Sequence, residues 1–409
     1  MYVRVSCSVA QCSFFHADSS SQRGTVSGNG RSNTSPKYLA PEYDRCLMRP
    51  RRSAAGGLNS IRKLSNSQSR PPIRSVRFPP APSTLLQCAG MTKLRCALLD
   101  DFQDVATSVA DWGPVLDRVE VTGFPRHFAD EDELVEAVSG FDIIVTLRER
   151  VSFPASLFAR LPRLKLLVAS GLRNSVIDFA AAAEHGVTVC GTDSSSTPPV
   201  ELTWALLLGL ARNVVGESNA LRAGGPWQST VGADLYGRRL GLIGLGKIGS
   251  RVAAVGAAFG MEVVAWSRNL TDERAAAVGA KCVSKKELLE SSDFVSIHVV
   301  LNEQTRGLIG AAELALMPSS AYLINTSRSA IVDQDALLAA LHEGRIAGAG
   351  LDVFDIEPLP ADHPMRTAPR LLATPHLGYV SLANYRTYYG QAVEDIHAFL
   401  DGSPVRRLG

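Results

Sequence analysis

RLGLIGLGKIG, Arg239–Gly249, decides the fold. Apolar residues run from Leu240 to Ile243 and give way to Gly244-x-Gly246-x-x-Gly249, after which a helical pattern continues to Phe259. Strand, glycine turn, helix is the context in which this spacing binds a dinucleotide. Gly244 allows the tight turn, Gly246 lets the backbone approach a pyrophosphate, and Gly249 lets helix and strand touch. The helix N-terminus adds N–H donors and positive potential. Lys247 and Ile248 lie inside the turn and count with the glycines as cofactor residues. A glycine-rich turn in an ordinary βα unit is the competing reading, and the placement argues against it.

The next strand, MEVVAWS, ends on Ser267 and Arg268. An NAD site usually carries Asp or Glu there, to bind the ribose 2′-hydroxyl. A hydroxyl and a guanidinium suit a 2′-phosphate instead, which favours NADP over NAD. The bland reading of Arg268 is a solvated surface residue.

Around this unit the pattern repeats. Strands are expected at Arg95–Leu99, Val119–Gly123, Ile143–Leu147, Lys165–Ala169 and Val187–Cys190, with helices such as Glu131–Val138 and Phe179–Glu184 between them. After Arg239 come strands near Phe294–Val300, Tyr322–Asn325, Ala347–Val353 and Leu371–Ala373, then an amphipathic helix Leu382–Leu400. Alternating βα units predict an α/β fold with parallel sheets covered on both faces. Gly191–Pro199 reads as a loop, and the apolar helix VELTWALLLGLARN, running into RAGGPW at Arg222–Trp227, reads as a domain crossing. No 20–50-residue repeat is evident, which argues against a solenoid.

The 409 residues suffice for two ordinary domains, and the net charge of +2 hides an asymmetry. Residues 1–90 hold 13 Lys and Arg against 3 Asp and Glu, and the rest hold 29 against 37. The first 90 residues are rich in Ser, Arg, Pro and Gly, with no sustained period, a composition expected to be disordered. Three readings of them stand: an organelle transit peptide, a basic tail for nucleic acid, or a non-native extension with Met91 as the true start. Cys96, Cys190 and Cys282 read as small buried hydrophobes, and no cysteine spacing suits a metal. No apolar run reaches the ~20 residues a bilayer requires. A soluble cytoplasmic body is expected, with no membrane or nucleic-acid partner.

AYLINTSRSAIVD, Ala321–Asp333, ends an interior strand on Arg328. Ligands of doubly wound sheets sit at the carboxyl ends of the strands, so this guanidinium is placed to meet an anion. It can hold a carboxylate and polarise an adjacent carbonyl. Two other strand ends carry matching chemistry: Asp352 and Glu357 in LDVFDIEP, and His376 in TPHLGY. A glutamate bonded to an imidazolium stabilises its charged form, and that histidine can give a proton to a carbonyl oxygen as hydride reaches the carbon. Singly each residue has a bland reading, as a turn, a loop histidine or a cap partner. Together on a dinucleotide fold they point to catalysis.

From Lys93 to Leu408 the chain resembles the D-isomer-specific 2-hydroxyacid dehydrogenases. The resemblance is carried by GLIGLGKIG, the segment His298–Gly310, LINTSRSAIVD, LDVFDIEP and TPHLGY in that order. It implies two doubly wound domains, with a Rossmann nucleotide-binding domain (196–376) inserted into a flavodoxin-like substrate domain (91–195 and 377–409). It implies that Arg328 binds the substrate's carboxylate and oxo group, that Glu357 pairs with His376, and that His376 is the acid/base. Asp352 would hold the nicotinamide carboxamide, and Val300, Thr305 and Thr326 would line the cofactor. The loop Ser170-Gly171-Leu172 would offer backbone N–H groups to the substrate carboxylate. Read from the residues themselves, Arg148 and Arg150 in VTLRERV either add positive charge to the pocket or form a solvated strand end. Ser329 follows Arg328 where the family often has glycine, and SGLRNSVID lacks the usual second glycine.

The expected activity is hydride transfer between NAD(P)(H) and a small 2-hydroxyacid or 2-oxoacid, of glyoxylate or hydroxypyruvate type, by a homodimer without metal. Glu357 argues against formate, since formate dehydrogenases on this fold use glutamine there. The competing class is a dinucleotide-sensing, corepressor-like interaction protein on the same fold, and phosphite oxidation is a third option.

Overall fold

The computed structural model describes residues 92–409, so the three readings of residues 1–90 lie outside the described residues. Two parallel sheets organise the rest. Strands β1 (Leu94–Leu98), β2 (Val119–Gly123), β3 (Ile143–Thr146), β4 (Leu166–Ala169) and β5 (Thr188–Gly191) form a five-stranded sheet in the order β2-β1-β3-β4-β5. Strands β6 (Arg239–Ile243), β7 (Glu262–Trp266), β8 (Lys281–Cys282), β9 (Phe294–Ile297), β10 (Tyr322–Asn325), β11 (Gly348–Leu351) and β12 (Leu371–Ala373) form a seven-stranded sheet in the order β12-β11-β10-β9-β6-β7-β8. The first order is that of a flavodoxin-like sheet and the second that of a Rossmann sheet. Their order reverses between β1 and β3 and between β6 and β9, and a ligand crevice opens at such points.

Both sheets are covered on two faces, so their strands are apolar without alternation, and neighbouring residues serve opposite cores. In the first sheet Ala97, Ile144 and Leu167 enter one core while Leu98, Ile143, Val145 and Leu166 enter the other. In the second, Ile243, Val264 and Val295 face one way and Leu242, Val263 and Phe294 the other. The Leu382–Leu400 helix packs Tyr385, Tyr388, Tyr389, Val393 and Ile396 into the Leu98–Ile143 core. The chain therefore returns to the first sheet after building the second.

Three local expectations are corrected. The apolar helix begins at Thr197, because Pro198 and Pro199 sit in its first turn, where no N–H is needed. It stops at Ala211, and Asn213 turns left-handed (φ 46°) before a second helix Val214–Arg222, a conformation asparagine tolerates. The two-residue β8 was not expected, being too short to carry a period. Cys282 there is only half-buried, whereas Cys96 and Cys190 are buried.

Candidate active site

The carboxyl end of β3 meets those of β10, β11 and β12 across one cleft. A cavity of about 250 Å³ there is lined by Arg148, Glu149, Arg150, Arg328, Ser329, Val353, Phe354, Asp355, Glu357 and His376. Three strand ends expected to carry chemistry thus deliver Arg328, Glu357 and His376 to one space. A second cavity of about 560 Å³ shares Arg150, Phe354, Glu357 and His376, and adds Phe102, Leu359, Tyr379 and Val380. His376 stands between the charged and the apolar space.

His376 Nδ1 lies 2.5 Å from Glu357 Oε2, while Glu357 Oε1 accepts from the Phe354 N–H at 2.8 Å. Burial pushes Glu357 up, but the His376 bond and charge, the Phe354 N–H and Arg150 outweigh it and hold the carboxyl below its ordinary value of 4.5. Its stabilising contribution is therefore complete above about pH 4.5 and is lost only as pH falls through the lower folded value. Glu357 is charged wherever a histidine titrates.

The imidazole is fixed from behind. His376 has a left-handed backbone (φ 52°), and its carbonyl accepts from Arg150 Nη2 at 3.3 Å. Asp352, 0% exposed, accepts from Thr374 Oγ1 at 2.7 Å and from the N–H groups of Leu377 and Gly378 at 2.6 and 2.8 Å. Burial raises its carboxyl, against the pull of those bonds and of His376. Both Asp352 oxygens are thus spent on the loop that carries His376. Arg150 also donates to the Tyr379 hydroxyl. Tyr385 donates to Gln103 and Tyr388 bonds Ser194, so these two tyrosines pack the terminal helix and do not line either cavity.

Arg328 follows β10 in extended backbone. Asn325 Nδ2 donates to its carbonyl at 2.9 Å, and Ser327 Oγ donates to Ile297 O at 2.7 Å, which pins the segment to β9. Its guanidinium donates to Ser327 O at 2.8 Å and to Glu149 Oε2 at 3.0 Å. Glu149 escaped the sequence reading. An acid between two arginines looks like local neutralisation, and only the fold shows that it reaches across the cleft. The available signal was three consecutive charges at the end of a buried strand.

Arg148 is held by Ser170: its N–H donates to Ser170 Oγ at 2.7 Å and its Nη1 to Ser170 O at 3.3 Å. The following loop departs from expectation. The Gly171 N–H donates to Thr192 Oγ1 at 3.1 Å, so the end of β5 takes the amide assigned to substrate. Leu172 is exposed, and neither residue lines the charged cavity.

The dinucleotide turn fits its ligand. A Cβ on Gly249 would stand 2.1 Å from the Gly244 carbonyl oxygen, so helix and strand touch there, while a Cβ on Gly246 would meet nothing within 4 Å. No side chain caps the Lys247–Ala258 helix, whose first amides are left for an anion. Lys247 is exposed and Ile248 half-buried beside them. Ser267 is half-buried and Arg268 exposed just past β7, next to the turn through Gly244 N–H to Trp266 O at 2.8 Å. Val300 and Thr305 form the loop after β9, where Thr305 Oγ1 donates to Val300 O at 2.7 Å. Thr326, after β10, bonds Thr203 at 2.8 Å. All these residues lie along the carboxyl edge of the second sheet. Among the described residues no cluster of metal-ligating side chains occurs, and no helix is long and apolar enough to cross a membrane.

A dinucleotide turn beside an Arg–Glu–His cavity defines an oxidoreductase acting on a carbonyl or hydroxyl group. Comparison with known proteins gives the family. The sequence profile of the D-isomer specific 2-hydroxyacid dehydrogenase NAD binding domain matches residues 204–378. A glyoxylate reductase of Aeropyrum pernix is 39% identical over 255 residues, covering 60% of this chain and 76% of that protein. A D-3-phosphoglycerate dehydrogenase of Bacillus subtilis is 35% identical over 296 residues, covering 71% of this chain and 55% of that protein. The chain spans about half the length of such phosphoglycerate dehydrogenases. A crystal structure of a putative D-3-phosphoglycerate dehydrogenase from Ralstonia solanacearum superposes with a TM-score of 0.73 at 35% identity, covering 77% of this chain and 96% of that one. The chain belongs to the D-isomer-specific 2-hydroxyacid dehydrogenases and is a nicotinamide-dinucleotide-dependent member of that family.

Proposed function

We propose that this protein is a reductase of small 2-oxoacids of the glyoxylate and hydroxypyruvate type. The observation that carries this is the His376–Glu357 pair at 2.5 Å in one cavity with Arg328. In this reading Arg328 binds the substrate carboxylate and its oxo oxygen, and charge developing on that oxygen strengthens the contact. His376, held by Glu357, delivers a proton to the same oxygen. Asp352 and Arg150 act as positioning residues for the His376 loop. Residues 91–195 and 377–409 serve the substrate, and 196–376 hold the dinucleotide through Gly244, Gly246, Gly249 and the adjoining strand ends. When bound, the reduced nicotinamide supplies the hydride to the substrate carbon. The relatives named as glyoxylate reductases support this substrate class. Named enzymes throughout the comparisons also favour turnover over a corepressor-like sensor.

NADPH is the cofactor of this reading, because no carboxylate stands at Ser267 and Arg268 to repel a 2′-phosphate. Following nicotinamide absorbance with glyoxylate, NADPH should give the higher kcat/KM. Arg268→Ala should cut the NADPH/NADH ratio by about tenfold or more, the worth of one charge-assisted bond. An unchanged ratio would contradict the assignment.

A homodimer completes the reading. The segment after the Asn213 break exposes Val214, Val215, Leu221, Trp227 (81%), Val231 (100%) and Tyr236, apolar surface that a second copy of the chain would cover. Sedimentation should return twice the mass of one chain, and a monomer at micromolar concentration would count against it.

A further inference from the structure

Glu149 has no part in the proton or hydride transfer, yet it stands among the groups that perform them. Of the three guanidiniums around the charged cavity, Arg150 is engaged by Tyr379 and the His376 carbonyl, while Arg148 and Arg328 each give Nη1 to a backbone carbonyl, Ser170 O and Ser327 O, and hold Nη2 toward Glu149. One oxygen of Glu149 faces both: Oε2 lies 3.0 Å from Arg328 Nη2 and 3.8 Å from Arg148 Nη2. Glu149 follows β3 of the first sheet and Arg328 follows β10 of the second, so this contact spans the cleft. Its side chain is 19% exposed, shielded enough for its charge to act on whatever enters. The lining sets Arg148, Arg150 and Arg328 against Glu149, Asp355 and Glu357, so Glu149 removes the positive excess that a second anion would need.

We propose that Glu149 determines charge specificity: the pocket accepts 2-oxoacids with one anionic group and turns away those with a second, such as a phosphate ester on C3. The proposal rests on the 2-oxoacid reductase reading. A second anion would lie against Glu149, or displace it and leave a half-buried carboxylate without its counter-ions. An uncharged tail meets neither cost, and the larger cavity beyond His376, lined mainly by Phe102, Leu359, Tyr379 and Val380 with Arg366 among them, gives it room.

Hydroxypyruvate and 3-phosphohydroxypyruvate differ only in that ester, so the test is their kcat/KM ratio, measured on the full chain. The wild type should favour hydroxypyruvate by about tenfold or more, since like charges at close range are costly. Glu149→Gln should shrink this preference by about tenfold. Glu149→Asp, which keeps the charge, should retain it, and added salt should weaken it in the wild type. A wild type that prefers the phosphate ester would overturn the proposal. So would a Gln variant in which both substrates fall by the same factor, the mark of a merely structural role. If the wild type turns over neither, nor glyoxylate, the reductase reading fails and the proposal with it.

Discussion

Arg328→Ala is expected to lower kcat/KM for glyoxylate by about 100- to 1000-fold, the usual cost of removing a donor aimed at developing oxyanion charge. The size follows from placement. Arg328 stands at the end of β10, pinned through Asn325 and Ser327, and is the guanidinium in the charged cavity that belongs to the second sheet. No neighbouring side chain is held in the same place: Arg150 is committed to Tyr379 and His376, and Arg148 is held on the first sheet by Ser170. The loss should appear in both KM and kcat if, as proposed, the residue meets the ground-state carboxylate and the transition-state oxygen. Arg328→Lys should recover only part of it, because an ammonium lacks the planar fork that takes a carboxylate bidentately. The alanine variant should unfold at nearly the wild-type urea concentration, as its salt bridge to Glu149 is partly exposed. Glyoxylate activity within threefold of wild type in Arg328→Ala would remove this residue from the site.

His376→Gln should reduce kcat by about 10²- to 10⁴-fold, the range for a positioned acid/base, with little change in cofactor affinity. Three contacts aim the imidazole: Glu357 on Nδ1, Arg150 on the carbonyl, and Asp352 on the next two amides. Glu357→Gln tests the charge apart from the geometry. Glutamine can still accept from Nδ1 and from the Phe354 N–H, but it no longer favours the charged ring. The kcat for reduction should fall by about tenfold or more in this variant, while KM moves little. A variant with the wild-type kcat would mean that Glu357 only orients the ring.

Much of this was legible in the sequence, for physical reasons that differ by element. The strands of both sheets are buried on two faces, so they appear as short apolar runs whatever surrounds them. Gly244 and Gly249 were readable because the turn and the helix–strand approach leave no room for a Cβ, and Gly246 because of its spacing between them. Arg328, Glu357 and His376 stood out because each interrupts an apolar stretch at a strand end, where a doubly wound sheet binds ligands. What escaped depends on partners distant in sequence. Glu149 meets Arg328 179 residues further on, and the Gly171 amide is claimed by Thr192 from the neighbouring strand. Asp352 showed as an acid at a strand end, but its role in bracing the His376 loop emerges only once β11 and β12 lie side by side. The break at Asn213 was hidden because the helical period continues through it, and one left-handed residue leaves no periodic trace.

The most direct test of the central claim is the absorbance of reduced nicotinamide when the full chain is mixed with glyoxylate, with Arg328→Ala and His376→Gln run beside it. The account predicts steady oxidation of the cofactor by the wild type, faster with NADPH than with NADH, and near-background rates in both variants. Tight dinucleotide binding with no oxidation in the presence of glyoxylate or hydroxypyruvate, or equal rates in all three proteins, would contradict it.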